Sequence, residues 1–547
     1  MSFAQRARVA ARVARSAGLV WSTSAQGALE LVRIHRAGAQ NPSQIYQLHA
    51  KNHPHKAALI HGQRRVSFAD LDARVDTLVA SLRALGLARG SSMLLAMHNS
   101  IELVELGIAA SRMGVAAVTV SYRSTADELA FLAEHSGARL VVCDADAVPR
   151  MVQALTRTRP DLLSLVFSTG DAPPAGARPL FALYQGPRAP KSSRAEAAND
   201  DAAVVIYTSG TTGKPKGAVR KFPKSALGAV FNLIDQTPLR ASDVHLVACP
   251  LYHSTAFGFL TISHILGNTV VLMDDFKPEA YLALVQKHHV TTSAVVPTML
   301  HRVLSLPSEV RAQFDTGSLR VVFSGGAPLP APVALAFMDT FGDVLFNFYG
   351  ATETGFVTLA NPQDLRAAPG TIGRPIPGNS IRLLGDDGSV LPVGEVGELF
   401  VKNDMMVAGY HNDASATAAS QREGYFSVGD LARVDAAGRY FIEGRKRDMI
   451  ISGGVNVYPA EVEGVLEEHP HVVEVAVVGV SDPEWGERVT AFVVLREPEA
   501  LDELRRFAKE RLAGPKQPRQ YVVMTALPRN ATGKVLKRDL RAASPTA

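Results

Sequence analysis

Tyr207-Thr-Ser-Gly-Thr-Thr-Gly-Lys-Pro-Lys-Gly217 follows the apolar run Ala203–Tyr207 and holds four hydroxyl residues, three glycines and two lysines. A strand-like run that ends in such a loop points to an α/β fold, because open α/β sheets collect ligands at the carboxyl ends of their strands. The glycines let the backbone approach an anion, N–H groups and hydroxyls donate to its oxygens, and Lys214 and Lys216 add positive charge. This is a phosphate-cradling composition. It is not the GxxxxGK[ST] loop, which would need glycine where Thr208 stands and Ser or Thr where Pro215 stands. By composition alone the stretch also suits a solvated linker; its place after a buried run sets it apart.

Working outward, the chain from Ser92 alternates MLLAM, a helical stretch from Ser100, AAVTV, a helical stretch over Asp127–His135, and RLVVC. That is βαβαβ, the pattern of a parallel sheet covered by helices. The Pro-, Ala-, Gly- and Ser-rich stretch 168–201 reads as surface connection. Further strand-like runs stand at Val270–Met273, Ser293–Val296, Arg320–Phe323 and Leu345–Phe348. Beyond Gly444–Asp448 a smaller α+β pattern begins, with Pro459 opening a helix. The expected fold class is α/β: a large multi-sheet N-terminal domain of βα units and a small mobile α+β C-terminal domain. The expected boundaries are a basic segment 1–41, a large domain 42–445 and a small domain 446–547.

YTSGTTGKPKG resembles the signature loop of the adenylate-forming, AMP-binding superfamily: acyl-CoA synthetases, adenylation domains of peptide synthetases and beetle luciferases. Other motifs of that family follow in order: SGGAP at Ser324–Pro328, YGATETG at Tyr349–Gly355, SVGD at Ser427–Asp430, GRKRD at Gly444–Asp448, SGGVNVYPAEVE at Ser452–Glu463 and PRNATGK at Pro528–Lys534. The fatty-acid–CoA ligase branch is the nearest in pattern. The resemblance implies ATP and Mg²⁺, with coenzyme A as cosubstrate, and release of AMP and pyrophosphate.

It also implies roles for residues. Thr208, Ser209, Gly210, Thr211, Thr212, Gly213 and Lys214 would hold the departing phosphates. Glu353 and the Thr208 hydroxyl would ligate Mg²⁺, with Thr352 touching the phosphates. Tyr349 and the turn Gly325, Gly326, Ala327, Pro328 resemble the adenine slot, although a core aromatic is the plain alternative for Tyr349. Asp430 and Arg445 resemble the ribose contacts. Lys534 resembles the lysine that reaches the carboxylate during adenylation, and Gly453 and Gly454 would line the thiol's channel after the small domain rotates about Arg447. Asp or Lys is the usual residue at that pivot.

In the region resembling the acid site, Pro250-Leu-Tyr-His-Ser-Thr-Ala-Phe-Gly258, Tyr252, His253 and Ser254 stand where amino-acid-activating relatives place an Asp for the ammonium group, which disfavours an amine substrate. His253 resembles the histidine beside the acid in acyl- and aryl-CoA ligases, a satisfied core histidine being the plain alternative. The small residues Ala256, Gly258 and Ala351 beside Phe257, Phe259, Phe356 and Val357 suggest a greasy channel for a medium or long acyl chain. An aryl acid, or delivery of the acyl group to a carrier protein, stays open, as does an inactive lipid-binding relative at a membrane.

Composition bounds the setting. With 47% hydrophobic and 20% charged residues the chain is globular, and two cysteines make neither a disulfide framework nor a Cys-rich metal site. The expected location is cytoplasmic. The net charge of +5 is uneven: residues 1–69 carry ten cations and one acid, Glu30, for +9, leaving −4 on the rest. That excludes a basic nucleic-acid-binding surface spread over the fold. The basic segment admits three readings: a helix solvated or docked on the body, a peripheral anchor on anionic membrane through residues 1–36, or a targeting peptide. On a helical wheel Arg8, Arg12 and Arg15 share one face, with Phe3, Val9, Val13 and Val20 across from it. Oligomeric state is open, a dimer included.

Overall fold

The computed structural model describes residues 3–36, 41–170, 172–188, 204–208, 216–220, 224–407, 409, 414–453, 455–529 and 535–543. The βα series forms two separate sheets. The first has seven strands among the described residues, in the order 178–179, 166–168, 140–143, 92–96, 116–119, 204–208, 216–220, and every pairing is parallel except the last. The second has nine, with a parallel centre from Leu345–Ala351 to Ala57–His61 and antiparallel edges. The hairpin Ala57–Ser67 is a difference from the sequence reading. It precedes the βαβαβ run yet edges the sheet whose next strand begins at Val244, pairing Leu59 with Val270. The stretch 168–201 is only partly surface connection, because Arg178–Pro179 joins the first sheet and Leu180 and Leu183 are buried.

An antiparallel five-stranded sheet runs from Ser380 to Arg445, and a second five-stranded sheet, Ile450 to Val523, forms the smaller C-terminal domain. Its long hairpin Val472–Asp482 with Gly486–Leu495 packs on the helix Pro459–Glu467, whose Val462 and Leu466 are buried.

The helices Ile101–Met113 and Ser254–Ile265 reach the interior between the sheets. Ser100 caps the first, accepting from the Leu103 amide, and Gly114 ends it with φ 67°. Its Arg112 is 1% exposed and pairs with Asp72 at 2.7 Å and Asp76 at 2.6 Å. A buried cation of this kind is held by its partners, and removing either side leaves an uncompensated charge.

The N-terminal segment forms three helices, α1 (Phe3–Ser16), α2 (Leu19–Ser22) and α3 (Ala25–Arg36). Docking on the body is the arrangement found for α1. Val9, Val13 and Ala17 are buried in a cluster with Leu233 and Ile234, and Arg12 pairs with Asp235 at 2.5 Å. The apolar side of α1 is thus spent on the protein.

Of the four histidines buried among the described residues, His49, His245 and His264 are the ones that burial perturbs most. Desolvation lowers His49 and His264 to about 4 and His245 to about 3. His264 keeps partners that suit the neutral ring, the Tyr46 hydroxyl at 3.0 Å and the Ala58 carbonyl at 3.3 Å. In the unfolded chain each titrates near 6.5, so the unfolded state takes up protons first as pH falls, and stability present above about 6.5 is lost toward the folded values. At pH 5 each costs about 2 kcal/mol. Thermal melts at pH 7.5 and 5.0 are expected to differ by on the order of 10 °C; coincident melts would contradict neutral burial.

Candidate active site

The hairpin of Leu345–Ala351 and Gly355–Ala360 brings the largest share of the expected residues together. Its turn holds Thr352, 8% exposed, and Glu353, 7% exposed. Gly350 is required there, since a Cβ on it would collide with the Gly355 carbonyl, and at Gly325 a Cβ would enter the Phe348 ring. Tyr349 donates its hydroxyl to Asp430 at 2.7 Å, and Arg445 Nε lies 3.1 Å from the other oxygen of that carboxylate. Asp430 and Arg445 face each other across the strands Tyr425–Val434 and Tyr440–Arg445. Desolvation first, and then Asp430, hold the Tyr349 phenol well above its ordinary value, so it stays a donor. Three residues expected separately as adenine and ribose contacts are one cluster, joined by a hydrogen bond and an ion pair.

Gly325 and Gly326 follow the strand Val321–Ser324, and Gly326 has φ 80°. His253 is the N-cap of the helix Ser254–Ile265. The Tyr252 ring lies 4.4 Å from it, Tyr122 meets Tyr252 edge-on at 6.0 Å, and Tyr122 donates to Asp275 at 2.6 Å. Ser254 and Thr352 hydroxyls are 3.2 Å apart, which joins the His253 corner to the Glu353 turn. The Tyr122–Asp275 support belongs to no motif, and the sequence carried no signal for it.

Thr208 ends the strand Val204–Thr208, which turns back on Lys216–Arg220 with Thr208 opposite Lys216. The signature loop is therefore carried by an antiparallel hairpin, where a following helix would have been the usual βα continuation. Ser209, Gly210, Thr211, Thr212, Gly213 and Lys214 lie outside the described residues, as do Gly454 and Lys534. The chain on either side of Lys534 is fixed by a bridge between Arg529 and Val535 and by Arg529 on Glu474 at 2.8 Å. Gly453 has φ 58°, and a Cβ there would press on the Trp485 indole at 2.9 Å, a local reason for glycine. Arg447 lies in the turn Lys446–Asp448. Lys446 is tied to Asp386 at 2.9 Å and Glu398 at 3.2 Å, whereas Asp448 is tied to Arg541 at 2.8 Å.

The expected channel residues separate by helix face. Phe259 is 1% exposed and stacks on Phe323 at 4.3 Å, with Phe348 and Phe356 around it, and Val357 is 0% exposed: these belong to the packed core. Phe257, Leu260, Thr261 and His264, at i, i+3, i+4 and i+7, face the other way and line an apolar cavity. Across it stand Leu103, Val104, Gly107 and Ile108 of the helix Ile101–Met113. Leu251 and Phe257 bring the cavity next to His253, whose carbonyl accepts from the Phe257 amide at 3.1 Å.

Such a site offers a buried carboxylate and hydroxyls, hard oxygen donors that suit Mg²⁺. Both cysteines are free and buried, and burial pushes Cys143 and Cys249 up to about 12, so neither is a nucleophile.

Comparison with known proteins places this geometry. The family model described as AMP-binding enzyme matches residues 46–411, and that of the AMP-binding enzyme C-terminal domain matches 461–534. The chain is 34% identical to indoleacetate–CoA ligase of Aromatoleum aromaticum over 499 residues, covering 90% of this chain and 96% of the relative. It is 32% identical to long-chain-fatty-acid–CoA ligase FadD13 of Mycobacterium tuberculosis over 478 residues, covering 87% and 93%. The crystal structure of the anthranilate CoA ligase AuaEII in complex with anthranoyl-AMP superposes with a TM-score of 0.85 at 25% identity, covering 92% of this chain and 97% of that one.

Proposed function

Because the chain belongs to the AMP-binding enzyme family, and is on that footing an acid–CoA ligase using ATP and Mg²⁺, we propose that its acid is a medium- or long-chain fatty acid. The supporting observation is the apolar cavity next to His253, lying between two helices and walled by Leu103, Val104, Ile108, Phe257 and Leu260. An inactive lipid-binding role is set aside, since the relatives are ligases.

A carboxylate is a poor electrophile, and its oxygen leaves poorly at neutral pH. Attack on the α-phosphate, with pyrophosphate leaving, makes a mixed anhydride whose carbonyl a thiol can then take, with AMP leaving. In this proposal the loop Thr208–Lys214 holds the β- and γ-phosphates, with Thr352 beside them. Glu353 and Thr208 hold Mg²⁺, which when bound spreads the phosphate charge. Tyr349, Asp430 and Arg445 hold adenosine, His253 orients the acid, and Lys534 offsets charge as the two anions meet. Arg447 is then the pivot between a domain 42–445 and a domain 446–547, supported by Lys446 binding one side and Asp448 the other. After rotation Gly453 and Gly454 would line the thiol's path. The setting proposed is cytoplasmic; among the described residues no helix is long and apolar enough to cross a membrane.

Aryl acids are the second reading, favoured by the indoleacetate and anthranilate relatives. A panel of fatty, arylacetic and benzoic acids, scored by pyrophosphate release with and without CoA, separates them. The fatty-acid proposal expects kcat/KM to rise by up to about fourfold per methylene while the cavity fills. It also expects Gly107→Leu to penalise long acids selectively, because the space beside Gly107 is open. Aryl acids at least about tenfold better than every fatty acid, with Gly107→Leu neutral, would overturn it.

A further inference from the structure

We propose that α2 and α3 form a docking surface for an anionic lipid bilayer, with Trp21, Leu29 and Val32 entering the headgroup boundary and Arg33 and Arg36 meeting lipid phosphates. Of the twelve large hydrophobic residues exposed among the described residues, five fall between Val20 and Val32. Trp21 is 83% exposed, Leu29 71% and Val32 48%.

The outward face of α3 is fixed by what lies beneath it. Gly27 is buried so tightly that a Cβ would enter the Asn52 amide, and Asn52 also accepts from the Ser24 amide at 2.6 Å. Opposite Gly27, Leu29, Val32, Arg33 and Arg36 follow at i, i+3, i+4 and i+7, one stripe of apolar and cationic side chains. The segment's one acid, Glu30, is 14% exposed and lies 3.7 Å from Arg33, so the outer face is positive. Below it, α1 fastens the segment to the body through Val9, Val13 and the Arg12–Asp235 pair. The AMP-binding match starts at residue 46, so this surface lies wholly outside it.

An exposed tryptophan on α2, with aliphatic residues and arginines exposed on α3, matches the chemistry of the interfacial zone, where the ring sits at headgroup level and cations meet anionic lipid. A second copy of the chain is the poorer occupant. Two-fold pairing would set the Arg33 and Arg36 face against itself without an acidic partner.

The test is sedimentation of the full chain with vesicles of phosphatidylcholine alone or with roughly one-third phosphatidylglycerol. Trp21→Ser/Leu29→Ser/Val32→Ser and Arg33→Gln/Arg36→Gln are compared with the unaltered chain, each first shown to retain carboxylate-dependent ATP–pyrophosphate exchange. Binding is expected only to the anionic vesicles, at least about tenfold weaker in the triple variant. Loss of each arginine is expected to weaken it about fivefold. In a Trp485→Phe background the Trp21 emission should shift to the blue on binding. Equal partitioning of all three chains, no binding by any, or a concentration-dependent dimer that the triple substitution abolishes would overturn the proposal.

Discussion

Lys534→Ala is expected to lower carboxylate-dependent ATP–pyrophosphate exchange by at least about a hundredfold, the effect of removing a charge that acts only as the transition state forms. Conversion of preformed acyl-AMP and CoA to the thioester should keep most of its rate, because a rotated small domain presents other residues at that step. The split is the informative part. A general loss of fold would lower both half-reactions, and a lysine that only decorates the surface would lower neither. The sequence motivates the choice: Lys534 closes PRNATGK, and Arg529 and Val535 on its two sides are bridged, so the segment is held at both ends. Near-normal exchange in the alanine variant would remove Lys534 from the reaction.

Asp430→Asn is the second large effect. Its carboxylate accepts from Tyr349 on one oxygen and is ion-paired with Arg445 at the other, which leaves acceptor capacity for a ribose hydroxyl. The amide offers one oxygen and no charge. Loss of charge-assisted hydrogen bonds of this kind costs about 1.5–3 kcal/mol, which is roughly 10- to 150-fold in the KM for ATP. The KM for the acid should stay within about twofold, since His253 and the cavity are separate from this cluster. Tyr349→Phe keeps the ring and removes only the donor, and should change the ATP KM by less than about fivefold. An Asp430→Asn enzyme with a lowered melting temperature and an unaltered ATP KM would mean that the cluster only fastens the antiparallel sheet to the hairpin.

Much of this architecture was legible because motifs mark chemistry and periodicity marks elements. The runs around Met93, Ala117 and Leu140 are parallel strands within a residue or two of their expected positions, and Pro459 does open a helix. What stayed hidden is tertiary. No local signal says that the strands on the two sides of residue 240 belong to different sheets, or that Ala57–His61 crosses to pair with Thr269–Leu272. The same limit governs the acid site. Phe257 and Phe259 are both apolar, and only the packing of Phe323 and Phe348 against one face of their helix separates the cavity wall from the core. At the N-terminus the wheel placed Val9 and Val13 on the apolar face, and both are buried against Leu233 and Ile234, but Val20, expected on the same face, lies on α2 and is 55% exposed. The face left exposed belongs to α3, whose orientation is set by the fit of Gly27 on Asn52.

The adenylate route itself is tested most directly by one isotope measurement. A fatty acid labelled with ¹⁸O in both carboxylate oxygens is turned over with ATP and CoA, and the products are weighed. If the carboxylate oxygen attacks the α-phosphate and CoA then cleaves the acyl bond, each AMP carries one ¹⁸O and pyrophosphate carries none. Unlabelled AMP, or label in a phosphate released with ADP, would contradict an acyl-AMP intermediate in this enzyme.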